Sequence, residues 1–302
     1  MHDWGTFQSK NIIETQSTLL YKIYTLKEEF KKYLRRTRVT RIKKNGKCSS
    51  HMPKIVVCGY ERGGTTLVTE ILRSTNLYSS GFECAILSAT NQKNLAQNFK
   101  VFNIQKGWLL DCGDMDHIIN SKSYGEVYKK LTESSQVFDS NKILFDKTPA
   151  YMKELSKIIQ RSPSSKYVVI CRDPRAVIYS WLKRNPHVDL AHTESMDHYT
   201  KRYLSYFEGY NNALKKYSGK IFLLSYEKLC TNPEKEVAKL FVFLGISNTV
   251  FSGLHAKLFS NIHGNKITPT FIEEYKNRLP LEIQLEIIAK TKDAELFFYN
   301  NL

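Results

Sequence analysis

Short apolar runs alternate with longer amphipathic stretches along this chain. The clearest apolar runs cover residues 54–59, 142–146, 166–171 and 220–224. They have the length of buried strands, and the nearly continuous apolar character of 166–171 is typical of a parallel strand that is covered on both faces. Between the runs, apolar residues recur at helical spacing, so the sequence predicts alternating strands and helices.

The amphipathic stretches give approximate bounds for these helices. We predict helices over residues 67–76, 86–100, 123–131, 149–160, 174–181, 195–217 and 233–244. Pro149 and Pro233 stand where the first turn of a helix accepts a proline, and Gly245 is a typical stop signal. Strands that alternate with helices favour an α/β fold of the P-loop-like, three-layer kind, with a mostly parallel central sheet and helices on both faces.

The first 52 residues differ from the rest of the chain. Residues 17–36 place apolar side chains at helical spacing with basic residues mostly elsewhere around the wheel, which predicts a basic amphipathic helix. We favour a helix that packs on the main domain or on a second subunit, and contact of residues 17–47 with an anionic membrane surface is the alternative. The sequence therefore predicts a basic N-terminal segment over 1–52 and one domain over 53–302.

The positive charge of the chain is concentrated at its start. The net charge of the 302 residues is +16, and residues 1–54 hold thirteen Lys and Arg against four Asp and Glu. More than half of the excess thus lies in the first sixth of the chain. Modules that read or stack bases are not recognisable beside this charge, so we expect no specific nucleic-acid partner.

Composition narrows the class of protein further. Hydrophobic residues make up 42% of the chain, enough to bury a core, but no uninterrupted apolar stretch reaches the length of about 18 residues that a membrane span needs. The N-terminus lacks the apolar segment of a signal peptide. The six cysteines form no C-x-x-C pair and the histidines are not clustered, so we expect reduced thiols, no metal site and a cytoplasmic protein.

A glycine-rich turn follows the first predicted strand. It contains, in order, Arg62, Gly63, Gly64, Thr65 and Thr66. Glycines let the backbone curl around an anion, the next helix offers free N–H groups, and the hydroxyls and the guanidinium add donors. A Walker loop would place lysine where Thr65 stands, so the turn departs from that nucleotide-binding pattern. An ordinary strand-to-helix turn without a ligand is the alternative interpretation.

Two further strands end in charged residues. Asp146 ends the strand at 142–146 and Lys147 follows it directly. Both lie at the position where open α/β sheets bind ligands. Arg172 follows the strand at 166–171, and Ser180 comes eight residues later, about two turns into the next helix.

Taken together, these turns resemble the motifs of sulfotransferases that use 3′-phosphoadenosine 5′-phosphosulfate (PAPS). Residues 59–67 resemble the family's 5′-phosphosulfate loop, and residues 172–180 resemble its 3′-phosphate motif, with the same spacing of arginine and serine. Weaker resemblances link residues 145–151 to Golgi-type carbohydrate sulfotransferases, 226–245 to a late segment of the family, and 263–266 to a C-terminal loop that closes over the cofactor.

The resemblance implies roles for individual residues. Arg62 and Lys147 would stabilise the charge of the transferring group, and Glu83 lies where tyrosylprotein sulfotransferases keep their catalytic glutamate, so it is the candidate base. The residues implied in PAPS binding are Arg62, Gly63, Gly64, Thr65, Thr66, Arg172, Ser180, Asn265 and Lys266. Arginine rather than lysine at position 62 places the chain nearer to tyrosylprotein and bacterial members than to cytosolic enzymes that act on phenols.

Several alternatives stay open for the base. Glu83 could instead cap the following helix, and His117, His187 and Asp146 are the other candidate bases.

The resulting hypothesis is sulfuryl transfer from PAPS, without a metal, to an acceptor hydroxyl. The resemblance at 145–151 favours a carbohydrate or glycolipid acceptor, and we expect residues 84–135 and 185–210 to recognise it. A P-loop nucleotide kinase and a non-enzymatic basic protein that binds polyanions are the alternatives. The sequence is compatible with an oligomer.

Overall fold

The structure of the protein is a computed structural model that describes residues 40–44, 49–111, 113–184, 193–246 and 267–301. The predicted helix at 17–36 lies outside the described residues. So do His187, Asn265 and Lys266.

Strands and helices alternate as the sequence predicts. The described strands are β1 (Ile55–Gly59), β2 (Tyr78–Ser79), β3 (Ile143–Lys147), β4 (Lys166–Cys171) and β5 (Ile221–Ser225). The described helices are α1 (Thr65–Ser74), α2 (Gln92–Val101), α3 (Ile104–Gly107), α4 (Asp114–Ile119), α5 (Tyr124–Ser134), α6 (Leu155–Arg161), α7 (Pro174–Leu182), α8 (Thr193–Tyr217), α9 (Tyr226–Thr231), α10 (Pro233–Leu244) and α11 (Leu281–Asn301).

The five strands form one parallel sheet in the order β2-β3-β1-β4-β5. Because alternate residues of a strand point to opposite faces, each central strand contributes to two hydrophobic cores. Val56 and Cys58 belong to one core, together with residues of α5, α6 and α8. Ile55 and Val57 belong to the other, together with residues of α1 and α10. This arrangement confirms the predicted three-layer α/β fold.

Local signals account for most helix ends. Asp173 caps α7 by accepting a hydrogen bond from the Arg175 N–H at 2.8 Å, and Pro174 occupies the first turn. Ser123 caps α5 in the same way. Gly245 ends α10 in the left-handed conformation with φ 75°, as predicted.

Two predicted helices are wrong in their bounds. The segment predicted as one helix over 86–100 is a short 3-10 turn at Ile86–Ser88 followed by α2, which begins after its cap Asn91. The segment predicted over 149–160 is a 3-10 helix at Pro149–Glu154 followed by α6. The short strand β2 and the helices α3, α4, α9 and α11 were not predicted.

The described part of the N-terminal segment packs on the domain. Residues 40–44 run between two loops, where Ile42 donates its N–H to the Thr90 carbonyl at 3.1 Å and Lys43 donates to the Lys122 carbonyl at 2.9 Å. Ile42 itself is buried in the core. The boundary at 52/53, the membrane contact and the cytoplasmic location stay predictions. None of the helices within the described residues is long and apolar enough to cross a membrane.

Candidate active site

The predicted site residues that the structure describes gather at one edge of the sheet. The glycine-rich turn follows the carboxyl end of β1, Lys147 ends β3, and Arg172 follows β4. Because β3, β1 and β4 are parallel neighbours, these turns lie side by side at the carboxyl edge, where open α/β sheets bind ligands.

The backbone of the glycine-rich turn is shaped for close approach to an anion. Gly64 has φ 100° directly before α1, and a Cβ at this position would lie 2.5 Å from the ring of Tyr226. Arg62 also has a positive φ, 68°, which is unfavourable for a residue with a side chain. The turn thereby presents the first N–H groups of α1, at Thr65 and Thr66, which have no partner within the helix.

The two predicted anion-binding motifs touch each other. Arg62 Nε donates to Ser180 Oγ at 3.1 Å, and Arg172 Nη1 donates to the carbonyl oxygen of Arg62 at 3.0 Å. These residues are more than 100 positions apart in the sequence, so the fold brings the two motifs together as the sequence predicted for one two-part site.

Arg172 is held in place by several contacts and keeps one hydrogen-bond donor unpaired among the described residues. Its guanidinium stacks on the Tyr226 ring at 4.1 Å, and Nη2 donates to the Phe271 carbonyl at 2.6 Å. Its buried Nε has no hydrogen-bond partner within the part of the chain that the structure describes. A buried donor of this kind is costly unless a ligand satisfies it, so Arg172 is suited to an anionic ligand.

Positive charges crowd around this contact. The pKa of Arg62 is lowered, first by its burial and then by the neighbouring charges of Arg184 and Arg172. A bound anion would reverse that repulsion. Arg184 was missed by the sequence reasoning because it lies beyond Leu182, where α7 ends, and so carries no helical spacing relative to Ser180.

Glu83 and Lys147 form an ion pair beside the glycine-rich turn. Lys147 Nζ lies 2.7 Å from Glu83 Oε1, and the exposed fractions of the two side chains are 4% and 18%. The Lys147 ammonium also lies 4.7 Å from the centre of the Phe82 ring. Ala85, not Glu83, occupies the cap of the following 3-10 turn, so the alternative in which Glu83 caps a helix is wrong.

Asp146 is the centre of a buried hydrogen-bond cluster rather than a candidate base. It is 1% exposed. Its carboxylate accepts hydrogen bonds from Tyr128 Oη at 2.5 Å, Tyr151 Oη at 2.8 Å, Thr148 Oγ1 at 2.9 Å and Cys84 Sγ at 3.3 Å. Burial raises its pKa, while those four donors lower it. With its oxygens occupied and inaccessible, the carboxylate cannot reach an acceptor hydroxyl, so the prediction of Asp146 as an alternative base is wrong.

The Asp146 cluster also fixes the loop that carries Glu83. Thr148 Oγ1 receives the N–H groups of Cys84 and Ala85 at 3.4 and 3.3 Å, and Tyr151 Oη receives the N–H of Leu87 at 3.0 Å. These hydrogen bonds attach the chain that follows Glu83 to the residues at and just after the end of β3. Because Lys147 ends β3, both partners of the Glu83–Lys147 ion pair are held in position.

Replacing Asp146 by alanine should lower the free energy of unfolding by about 3–5 kcal/mol, because three hydroxyl donors would remain buried without their acceptor. Asp146→Asn keeps the shape and one acceptor oxygen, so we expect roughly half that loss. Urea denaturation followed by circular dichroism measures both variants. Equal stability of Asp146→Ala and the wild type would show that the cluster is not structural.

The structure also describes one further candidate base and four cysteines. His117 is exposed on α4, and its carbonyl oxygen accepts a hydrogen bond from Lys130 Nζ at 3.0 Å. The four described cysteines, at positions 58, 84, 171 and 230, are buried free thiols. The described residues contain no group of three or more His, Cys, Asp and Glu that could hold a metal ion.

Known proteins resemble this chain in sequence. The family model described as the sulfotransferase family matches residues 53–249. Protein-tyrosine sulfotransferase 2 of Gallus gallus is 24% identical over 247 residues, which cover 80% of this chain and 64% of that protein. Protein-tyrosine sulfotransferase 1 of Danio rerio is 23% identical over 242 residues, which cover 79% and 65%. The chain thus spans just under two thirds of the length of these relatives.

Solved structures resemble the fold. The sulfotransferase domain of the Synechococcus PCC 7002 olefin synthase matches with a TM-score of 0.61 and 19% identity, over 82% of this chain and 95% of that domain. The sulfotransferase domain from the curacin biosynthetic pathway matches with a TM-score of 0.56 and 19% identity, over 80% and 98%.

Proposed function

The chain belongs to the sulfotransferase family, and we propose that it moves a sulfuryl group from PAPS to an acceptor hydroxyl at the carboxyl edge of its sheet. The observation that carries the proposal is the contact of Arg62 Nε with Ser180 Oγ at 3.1 Å, which joins the two anion-binding motifs. PAPS carries anionic groups at both its 5′ and 3′ positions, so a ligand of this form needs two such motifs side by side.

The residues present fit that ligand. On the 5′ side, the N–H groups at the start of α1 and the guanidinium of Arg62 would bind phosphate and sulfate oxygens. A Cβ at position 64 would collide with the ring of Tyr226, so only glycine fits this position of the turn. On the 3′ side, Ser180 and the free Nε of Arg172 would bind the second phosphate.

The pair of Glu83 and Lys147 supports the chemical roles that we propose for it. In the transfer, a bond forms between the acceptor oxygen and sulfur, the bond from sulfur to the 5′-phosphate oxygen breaks, and 3′-phosphoadenosine 5′-phosphate (PAP) leaves. Glu83 takes the hydroxyl proton, with the oxygen that Lys147 does not engage available to it. Arg62 and Lys147 stabilise the negative charge that moves to the leaving phosphate.

Family membership also bears on the two alternatives from the sequence. A nucleotide kinase is disfavoured because the chain belongs to another family and Thr65 stands in place of the Walker lysine. A purely polyanion-binding role leaves the contact between the two motifs without an explanation.

For the acceptor, we propose a tyrosine hydroxyl of a protein. The two curated relatives described above are protein-tyrosine sulfotransferases. The resemblance at 145–151 that favoured a carbohydrate rests on residues that are buried, since Asp146, Thr148 and Tyr151 are 1%, 0% and 0% exposed. Buried side chains cannot contact an acceptor. The carbohydrate or glycolipid acceptor stays a prediction.

The test is transfer from radiolabelled PAPS to a panel of acceptors. We expect label in peptides that contain tyrosine, and none in the same peptides with phenylalanine at that position, because transfer needs the phenolic oxygen. Simple sugars and a glycolipid form the parallel arm. Label in the sugars but not in the peptides would reject the tyrosine proposal and leave the transferase itself standing. Label in no acceptor, together with no binding of PAP, would reject the transferase.

A further inference from the structure

A basic cavity lies at the opposite edge of the sheet from the candidate active site. Its volume is about 720 Å³, and the described N-terminal residues 40–44 form one of its walls. Another wall comes from α6, through Lys157 and Arg161. Arg161 ends α6 a few residues before the first residue of β4, which places this wall at the amino edge of the sheet. None of the residues that line the cavity belongs to the two anion-binding motifs.

The wall formed by residues 40–44 is built into the fold. Besides the bonds of Ile42 and Lys43 to the carbonyl oxygens of neighbouring loops, Gln92 donates its N–H to the Thr40 carbonyl at 3.3 Å and Tyr124 donates to the Lys43 carbonyl at 3.3 Å. The segment is therefore fixed on both sides by backbone hydrogen bonds, and all of its residues except Ile42 are exposed. Its cations are consequently held at the rim of the cavity rather than on a free tail.

The charges around the cavity are unbalanced. Among the described residues, Arg41, Lys43 and Lys44 have no carboxylate partner, and Lys157 lies 3.7 Å from Glu154. Arg161 Nη1 donates a hydrogen bond to the carbonyl oxygen of Leu87 in the neighbouring loop. Burial raises the pKa of the Tyr124 hydroxyl, Arg161 and Arg41 lower it, and the carboxylate of Glu154 raises it, so two guanidinium groups and one carboxylate act on this point of the cavity wall.

These features select a class of ligand. Five cations around one cavity match an anion with several charges, and a volume of this size is typical of small-molecule sites. The hydroxyls of Thr40 and Thr90 and the amide of Gln160 also line the cavity and suit a ligand with hydroxyl groups. A long polyanion would instead need a basic stripe across the surface.

We propose that this cavity binds a polyphosphorylated cyclitol or sugar, either as a soluble metabolite or as the head group of an anionic lipid. Such a ligand combines several phosphates with ring hydroxyls in a compact shape. The site explains why part of the basic N-terminal segment is fixed to the domain at a distance from the catalytic residues. This inference does not depend on the proposed transfer reaction.

The test uses the full chain with a saturating amount of PAP, so that the two anion-binding motifs are occupied. Binding of inositol trisphosphate is measured by calorimetry. In parallel, flotation compares phosphatidylcholine vesicles that contain a phosphatidylinositol bisphosphate with vesicles of equal total charge made with phosphatidylserine. We expect binding of the trisphosphate. Flotation with the bisphosphate vesicles alone would identify the lipid as a source, and no flotation would identify the soluble ligand.

The triple variant Arg41→Gln, Lys43→Gln, Lys44→Gln removes three exposed cations without touching the backbone bonds of the segment. We expect it to weaken trisphosphate binding on the order of 100-fold, because each charge near a phosphate contributes severalfold. Its thermal midpoint should match that of the wild type, which shows that the fold is intact.

A matched control removes the same charge elsewhere. Lys215, Lys216 and Lys235 are exposed and lie outside the cavity, and their replacement by glutamine should leave trisphosphate affinity unchanged. The proposal is overturned if the trisphosphate does not bind, if the control variant loses as much affinity as the cavity variant, or if phosphatidylserine vesicles of equal charge bind equally well. Failure of PAP to bind would be seen in its own titration and would count against the transfer reaction instead.

Discussion

Replacing Arg172 by alanine should weaken the binding of PAP by about 30-fold to several-thousandfold, equivalent to about 2–5 kcal/mol. The reason is that its guanidinium stacks on Tyr226 and keeps a buried Nε without a hydrogen-bond partner among the described residues. A phosphate that binds there loses a charged, desolvated donor in the variant. Ser180→Ala should cost less, about tenfold, because it removes one neutral hydroxyl. Calorimetric titration with PAP measures both.

The control for this series is Arg278→Ala, which removes an exposed guanidinium outside the two motifs. It should bind PAP like the wild type. Because Arg172 also donates to the carbonyl oxygens of Arg62 and Phe271, thermal unfolding without ligand must accompany the titration. If Arg172→Ala keeps its fold and still binds PAP within about threefold of the wild type, less than 1 kcal/mol, Arg172 does not hold the 3′-phosphate.

Replacing Glu83 by glutamine should lower kcat by about 10²–10⁴-fold while PAP affinity stays unchanged, because general-base catalysis contributes in that range and glutamine cannot take a proton. Glutamine keeps the size of the side chain and an oxygen that can accept from Lys147, so the loop should keep its position. Single-turnover kinetics with the acceptor that the panel identifies separates the chemical step from product release.

The Glu83 prediction has a matched control in Glu133→Gln. Glu133 is exposed on α5 and pairs with Lys129 at 3.7 Å, so its loss should leave kcat unchanged. A Glu83→Gln variant with wild-type kcat would assign the base to another residue. A variant that loses PAP affinity together with kcat would instead show that Glu83 acts by positioning Lys147.

The central strands were predictable because their residues are buried on both faces. β4 matches its predicted range of 166–171, since every position after Lys166 is apolar and the run ends at a charged residue. β2 has two residues and therefore carries no periodic signal. The helix predicted over 86–100 failed for a tertiary reason, because Leu87 donates its N–H to Tyr151 Oη in a 3-10 turn, which no local pattern records.

Some contacts of the candidate site could likewise be predicted from the sequence, and others could not. The contacts of Arg62 with Ser180 and of Glu83 with Lys147 join residues that were singled out from sequence motifs. The role of Asp146 could not be predicted, because its donors Tyr128 and Cys84 lie 18 and 62 positions away. The contact that excludes a side chain at Gly64 likewise depends on where α9 places Tyr226.

The comparison of PAP with adenosine 5′-phosphate (AMP) as ligands of the wild-type chain tests the central claim most directly. The two ligands differ by the 3′-phosphate alone, so the difference in thermal midpoint isolates the second anion-binding motif. We expect the glycine-rich turn to bind the 5′ end of the ligand, and Arg172 and Ser180 to bind its 3′-phosphate. PAP should therefore raise the thermal midpoint clearly, and AMP should raise it little or not at all. Equal stabilisation by PAP and AMP would contradict it.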